Sequence, residues 1–129
     1  MYSSGVTNQN YLRGVQVTDA LGQVTFQIIV PACYSGRWPH IHLEVFANLD
    51  AATRGANAIK TSQLALPQVV CSEVFNAASG YSASVAHLAA VSLAGDNVFG
   101  NDAGVSQLAT VTGSLSNGYS ATLTLGIAA

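Results

Sequence analysis

Gln107-Leu-Ala-Thr-Val-Thr-Gly-Ser114 and Tyr119-Ser-Ala-Thr-Leu-Thr-Leu-Gly-Ile127 stand on either side of Ser116-Asn117-Gly118. Both flanks are Thr-rich and alternate in character, and Asn-Gly is the strongest short hairpin signal because the pair tolerates positive φ. The chain therefore closes with an antiparallel hairpin.

The same period of two recurs toward the N-terminus. Tyr11 to Thr18 alternates Tyr11, Arg13, Val15 and Val17 with Leu12, Gly14, Gln16 and Thr18, which predicts a strand. Asp19-Ala-Leu-Gly22 supplies turn chemistry, with Asp to cap the backbone and Gly to accept positive φ. Gln23 to Val30 is a β-branched run that Pro31 stops, because proline cannot donate to a ladder. These runs predict a first hairpin.

His40 to Ala47 alternates again. Its period puts His40, His42, Glu44 and Phe46 on one face and Ile41, Leu43, Val45 and Ala47 on the other, so the aliphatic face is expected in the core. Ala58 to Leu66 is a further strand candidate. Pro67 to Ala77 reads as a helix with Val70, Val74 and Phe75 on one face, and Ser84 to Ala94 as a second. Gly95 to Gly104, rich in Asp and Asn, reads as a surface loop. Strands dominate, which predicts a mainly β fold: one antiparallel β-sandwich over residues 1–129, with short helices in the connections.

Composition narrows the function. The 129 residues are 50% hydrophobic, which suits one compact core. Four Lys plus Arg against six Asp plus Glu provide no basic stripe, so nucleic acid is a poor partner. The longest apolar runs are too short and interrupted for a membrane span. A surface carried by Ser, Thr, Asn, Gln and Gly is the habit of extracellular β-rich proteins. Yet Met1 is followed by the polar stretch Tyr2 to Asn10 with no apolar h-region, so either the protein stays inside the cell or its native start is missing. Cys33 and Cys71 are compatible with one disulfide closing a loop of roughly 37 residues, with two buried free thiols as the alternative.

Reactive groups concentrate in Pro31-Ala-Cys-Tyr34-Ser-Gly-Arg37-Trp-Pro-His40-Ile-His42. On a strand, His40 and His42 point to one side with Cβ atoms about 7 Å apart, a common way to grip one metal. An H-x-H pair alone reads more readily as two partly exposed histidines on a polar strand face. A phenol from Tyr34 shifts the balance, because a hard anionic oxygen beside two imidazoles favours Fe(III) over zinc. Arg37, by itself, reads as a surface ion-pair residue. His87 lies among Ala and Leu and reads as a helix-surface or satisfied core histidine, and Trp38 and Tyr81 read as packing.

With these residues in place the sequence resembles the intradiol ring-cleavage dioxygenases, and especially their small secreted relatives. The resemblance is carried by Arg13-Gly14, Gln16, Thr18-Asp19, Gly22, Phe26, Ile28 or Ile29, Pro31, Tyr34, Gly36-Arg37 and Pro39-His40-Ile41-His42. It implies a secreted enzyme with non-haem Fe(III) that opens a small aromatic diol with O₂. It also implies that Tyr34, His40 and His42 are iron ligands, Tyr34 being the one a catecholate displaces, and that Arg37 steadies the anionic substrate.

The match has gaps. The family's first tyrosine ligand lies N-terminal to the matched region, and Tyr2 does not align with it. Truncation, substitution by Tyr2, or a water in the fourth position are the alternatives. Pro31-Ala32 stands where the family has Pro-Gly. Missing first strands would leave an open edge, which invites a homo-oligomer. Two further readings stay open. One is a β-sandwich binding or assembly module that has lost catalysis, and the other is a general transition-metal site of His40, His42 and Tyr34.

Overall fold

The computed structural model describes residues 5–127, so Tyr2 lies outside the described residues. Strand β1, His40–Val45, pairs antiparallel with β2, Lys60–Ala65, in a register that sets His42 opposite Gln63 and Glu44 opposite Thr61. Backbone bonds from Ile59 to Val45 and from Leu66 to Pro39 extend the pair at both ends. Ile41 and Leu43 lean on the core while His42 and Glu44 are exposed, which is the facing that the alternation predicts.

Pro67, with φ −61° and ψ 140°, starts helix α1, Gln68–Ala77, which buries Val70, Cys71, Val74 and Phe75 on one stripe. Helix α2, Ser82–Ala89, ends earlier than its sequence pattern predicts; the chain turns at Ala90 and sends Val91 and Leu93 separately against the core. The core gathers Trp38, Leu64, Leu66, Cys71, Val74, Phe75, Leu88 and Phe99. Each large apolar side chain so buried contributes roughly 1.5–3 kcal/mol.

The closing hairpin forms as β3, Thr110–Ser114, against β4, Gly118–Thr122. Its turn lies one residue earlier than the Ser116-Asn117-Gly118 stretch expected from the sequence. Ser114 pairs with Gly118 across a three-residue loop, and Gly118 at φ +81° takes the left-handed position that such loops require. A single parallel bridge, Ala65 to Leu108, links this hairpin to the β1–β2 pair.

The mainly β expectation needs correction. Among the described residues there are two two-stranded antiparallel sheets and two α-helices, a small mixed α and β arrangement in which strand does not predominate. The first hairpin forms only at its turn. Asp19 Oδ1 accepts the Leu21 and Gln23 amides at 2.9 and 2.8 Å, and Gly22 takes φ +75°, as the turn chemistry predicts. The arms Tyr11 to Thr18 and Gln23 to Val30 carry no strand ladder, although Phe26 reaches across to Gly14. The reason is an absent second layer: Val15, Val17, Phe26 and Ile28 are 46–68% exposed, and alternation stabilises a strand only when one face is buried. Cys33 and Cys71, expected as a disulfide, are both buried in the core as free thiols.

Gly95 to Gly104 is also more than a surface loop, since Asp96 and Phe99 inside it are buried. A Cβ added at Gly100 would lie 2.7 Å from the Asp96 carbonyl oxygen and 3.0 Å from that of Ala94, both backbone atoms. Gly100→Ala is therefore expected to destabilise the chain by about 1–3 kcal/mol through overpacking, measured as a lower urea midpoint at unchanged slope. Wild-type stability in that variant would disprove the packing assigned to this loop.

Candidate functional site

The segment holding Tyr34 is clamped from below by α2. Ser84 and His87, one helical turn apart, seize both backbone groups of Cys33: the Ser84 hydroxyl accepts the Cys33 amide at 3.1 Å, and His87 Nδ1 meets the Cys33 carbonyl at 2.7 Å. His87 is thus the hydrogen-bonded histidine that its apolar setting predicts. Tyr81 extends the clamp, donating to the Val30 carbonyl at 2.6 Å while stacking on Phe75. Trp38 is core, its Nε1 donating to the Leu66 carbonyl.

Past Cys33 the chain rises to Tyr34, which is 51% exposed, turns through Gly36 at φ +81°, and returns as Arg37. Arg37 is the hub. Its Nε donates to Asp96 Oδ2 at 2.9 Å, its Nη2 to Gln63 Oε1 at 2.6 Å, and its Nη1 to the Tyr34 hydroxyl at 3.3 Å. The fork geometry of guanidinium allows these three partners in different directions, which an ammonium could not hold with the same order. Burial by itself would lower the Arg37 pKa, but the Asp96 carboxylate and the Tyr34 oxygen outweigh it and hold the charge firmly.

Asp96 carries the other half of the ion pair, with no exposed side-chain area. Its Oδ2 accepts the Trp38 amide at 2.8 Å as well as Arg37, while Oδ1 accepts the amides of Val98 and Phe99 at 2.8 and 3.2 Å. Burial would raise its pKa; the Arg37 bond and the three amides prevail and hold it down at about 2.

His40 sits beside Tyr34, ring centroids 5.9 Å apart and edge to face, with Phe99 on another side at 6.1 Å. Its Nδ1 bonds the Trp38 carbonyl, which fixes a tautomer with hydrogen on Nδ1 and a free lone pair on Nε2. Burial lowers its pKa, and the nearby Arg37 charge works the same way against the Trp38 hydrogen bond and the Asp96 carboxylate, which pull it up. His42 shares this face but is more exposed, its Nε2 lying 3.2 Å from Glu44 Oε1. Such an exposed contact is worth little and yields readily to a better partner.

Of the residues singled out from the sequence, Tyr34 is brought against both Arg37 and His40, while His42, two residues along the same strand face, is turned to Glu44. Sequence reading missed Asp96 and Gln63. Gln63 could have been noticed as the polar residue of Gln63-Leu-Ala-Leu66, but its place opposite His42 depends on strand register; Asp96 gives no local sign of burial. Among the described residues no group of three or more His, Cys, Asp and Glu side chains is arranged to hold a metal. A groove of about 450 Å³ lined by Lys60, Ser62, Gln107 and Thr124 among others contains none of these groups. Comparison with protein-family models, curated proteins and solved structures finds no match to the chain.

A carboxylate held below its unfolded value stabilises the fold at neutral pH and loses that contribution as acid protonates it. The drop of Asp96 from 3.8 to about 2 corresponds to about 2 kcal/mol, present above pH about 4 and lost toward pH 2. Urea titrations at pH 5 and pH 2 are expected to show wild-type losing about 2 kcal/mol more than Asp96→Asn over that interval. Equal losses would mean that the carboxylate is not held in this way.

Proposed function

We propose that this chain is an intradiol-type iron protein in which Tyr34, His40 and His42 hold non-haem Fe(III) and a small aromatic diol is opened with O₂. One observation carries the reading: the Arg37 guanidinium reaches the Tyr34 oxygen while the His40 ring, its Nδ1 engaged by the Trp38 carbonyl, stands 5.9 Å from the Tyr34 ring. A phenol and two imidazoles form a donor set suited to a hard trivalent ion. Bound Fe(III) would supply Lewis acidity, easing deprotonation of the diol, one proton passing to the Tyr34 oxygen and the other to solvent, and activating the ring toward O₂.

The residues divide the remaining work. Tyr34, exposed and loop-borne, would hold the ion through its phenol oxygen and could take up a proton from an arriving diol there, with Arg37 Nη1 already bonded to that oxygen. Once Tyr34 turns away, the same N–H faces the incoming catecholate. His40 is the rigid donor, packed against Phe99 and tied to Trp38. His42 would hold the ion through Nε2, the nitrogen that otherwise faces Glu44.

The second reading, a binding or assembly module without turnover, draws on the exposed apolar arms. A further strand, from a second copy of this chain, would bury Val15, Val17, Phe26 and Ile28 and turn the arms into the missing layer of a β-sandwich. Secretion is part of the same proposal, and oxidising conditions would then join Cys33 and Cys71. Alkylation of the unreduced, unfolded protein from an oxidising compartment is expected to leave both thiols unlabelled; labelling of both would exclude the bond.

With one phenolate fewer than the family's set, Fe(III) carries more uncompensated charge, so a catecholate dianion should bind avidly while turnover is slow. Adding catechol to the Fe(III)-loaded chain in air is expected to develop a charge-transfer colour with little or no muconate product, and His40→Ala to abolish the colour. Rapid muconate formation would show that another group completes the site. No colour at all would overturn the iron assignment.

A further inference from the structure

We infer that Asp96 is the positioning residue that aims the Arg37 fork at the diol site, and that it acts on ligand binding through Arg37 alone. This rests on the catecholate reading above, but its geometric half stands apart from it. The buried carboxylate divides its two oxygens between two tasks. Oδ1 closes a tight turn on the amides of Val98 and Phe99, and Oδ2 receives the Trp38 amide together with Arg37 Nε. Holding Nε fixes the plane of the guanidinium, because its three nitrogens are coplanar. With that plane set, Nη2 falls on Gln63 and Nη1 is left toward Tyr34, the direction from which a displacing phenolate or catecholate would approach.

The division of labour predicts what an amide would do. Asparagine at this position can present one oxygen and one NH₂. Keeping the oxygen on Val98 and Phe99 places the NH₂ against Arg37 Nε–H and the Trp38 N–H, donor against donor. Asp96→Asn should therefore retain the turn and release the fork.

Two measurements test this. In metal-free, ¹⁵N-labelled protein, the Arg37 Nε–H resonance, assigned by its loss in Arg37→Lys, is expected to be protected from solvent exchange in wild type and to lose protection in Asp96→Asn. A rapidly exchanging Arg37 Nε–H in folded wild type overturns the inference whether or not the variant folds, as does retained protection in a folded Asp96→Asn. The second measurement is catechol affinity of the Fe(III)-loaded proteins. Asp96→Asn and Arg37→Gln are each expected to weaken binding roughly tenfold, the size of one charge-assisted hydrogen bond, and the double variant to be no weaker than Arg37→Gln. Additive losses would show that Asp96 acts by another route and overturn the inference. Wild-type protein that takes up no iron or no catechol would defeat the proposed function, leaving the exchange measurement to decide the geometry.

Discussion

A single buried carboxylate organises this molecule. Asp96 has no exposed side-chain area, and a bare anion there would be prohibitive; it is tolerated because one guanidinium and three amides converge on it. Those four donors come from residues about sixty positions apart in sequence, so satisfying the charge joins the 95–104 loop to the start of β1. Phe99, fully buried, is carried into the core by the same turn and then forms one wall of His40.

The second support is α2, which acts through polarity as much as packing. Its Leu88 enters the core, while Ser84 and His87 satisfy the backbone of Cys33, a residue whose own side chain is buried. A loop with its amide and carbonyl both satisfied by one helix has little freedom at that point. The freedom begins one residue later. Tyr34 is half exposed and is held by one long hydrogen bond. A histidine tied to the backbone thus stands beside a phenol held by a single side-chain contact.

The cluster and the arms stand in contrast. Around Arg37 nearly every polar atom is matched, and no buried side-chain polar atom among the described residues lacks a partner. Tyr11 to Ile29, by comparison, presents a series of large apolar side chains to solvent on backbone that forms no ladder. The hydrophobic term stabilises a strand only through what covers it, and among the described residues nothing does. A chain can thus assemble a polar site with local precision while one of its apolar faces stays uncovered.

Local chemistry was legible directly. The turn at Asp19 and Gly22, the start of α1 after Pro67, the stripe Val70, Val74 and Phe75, the closing hairpin, and the shared side of His40 and His42 all follow from residue types at short spacing. Such features depend on backbone dihedrals and side-chain periodicity, which neighbours in sequence decide. The outcome for Tyr11 to Val30 did not follow, because alternation states which face wants burial and says nothing of whether a second layer exists. Nor did Asp96 and Gln63 follow. One reads locally as a loop aspartate and the other as a strand glutamine; only the β1–β2 register and the burial of the 95–104 loop place both on Arg37. The sequence by itself determined which reactive groups lie close along the chain. The tertiary structure decided which of them are oriented, because orientation here comes from a buried charge whose partners are distant in sequence.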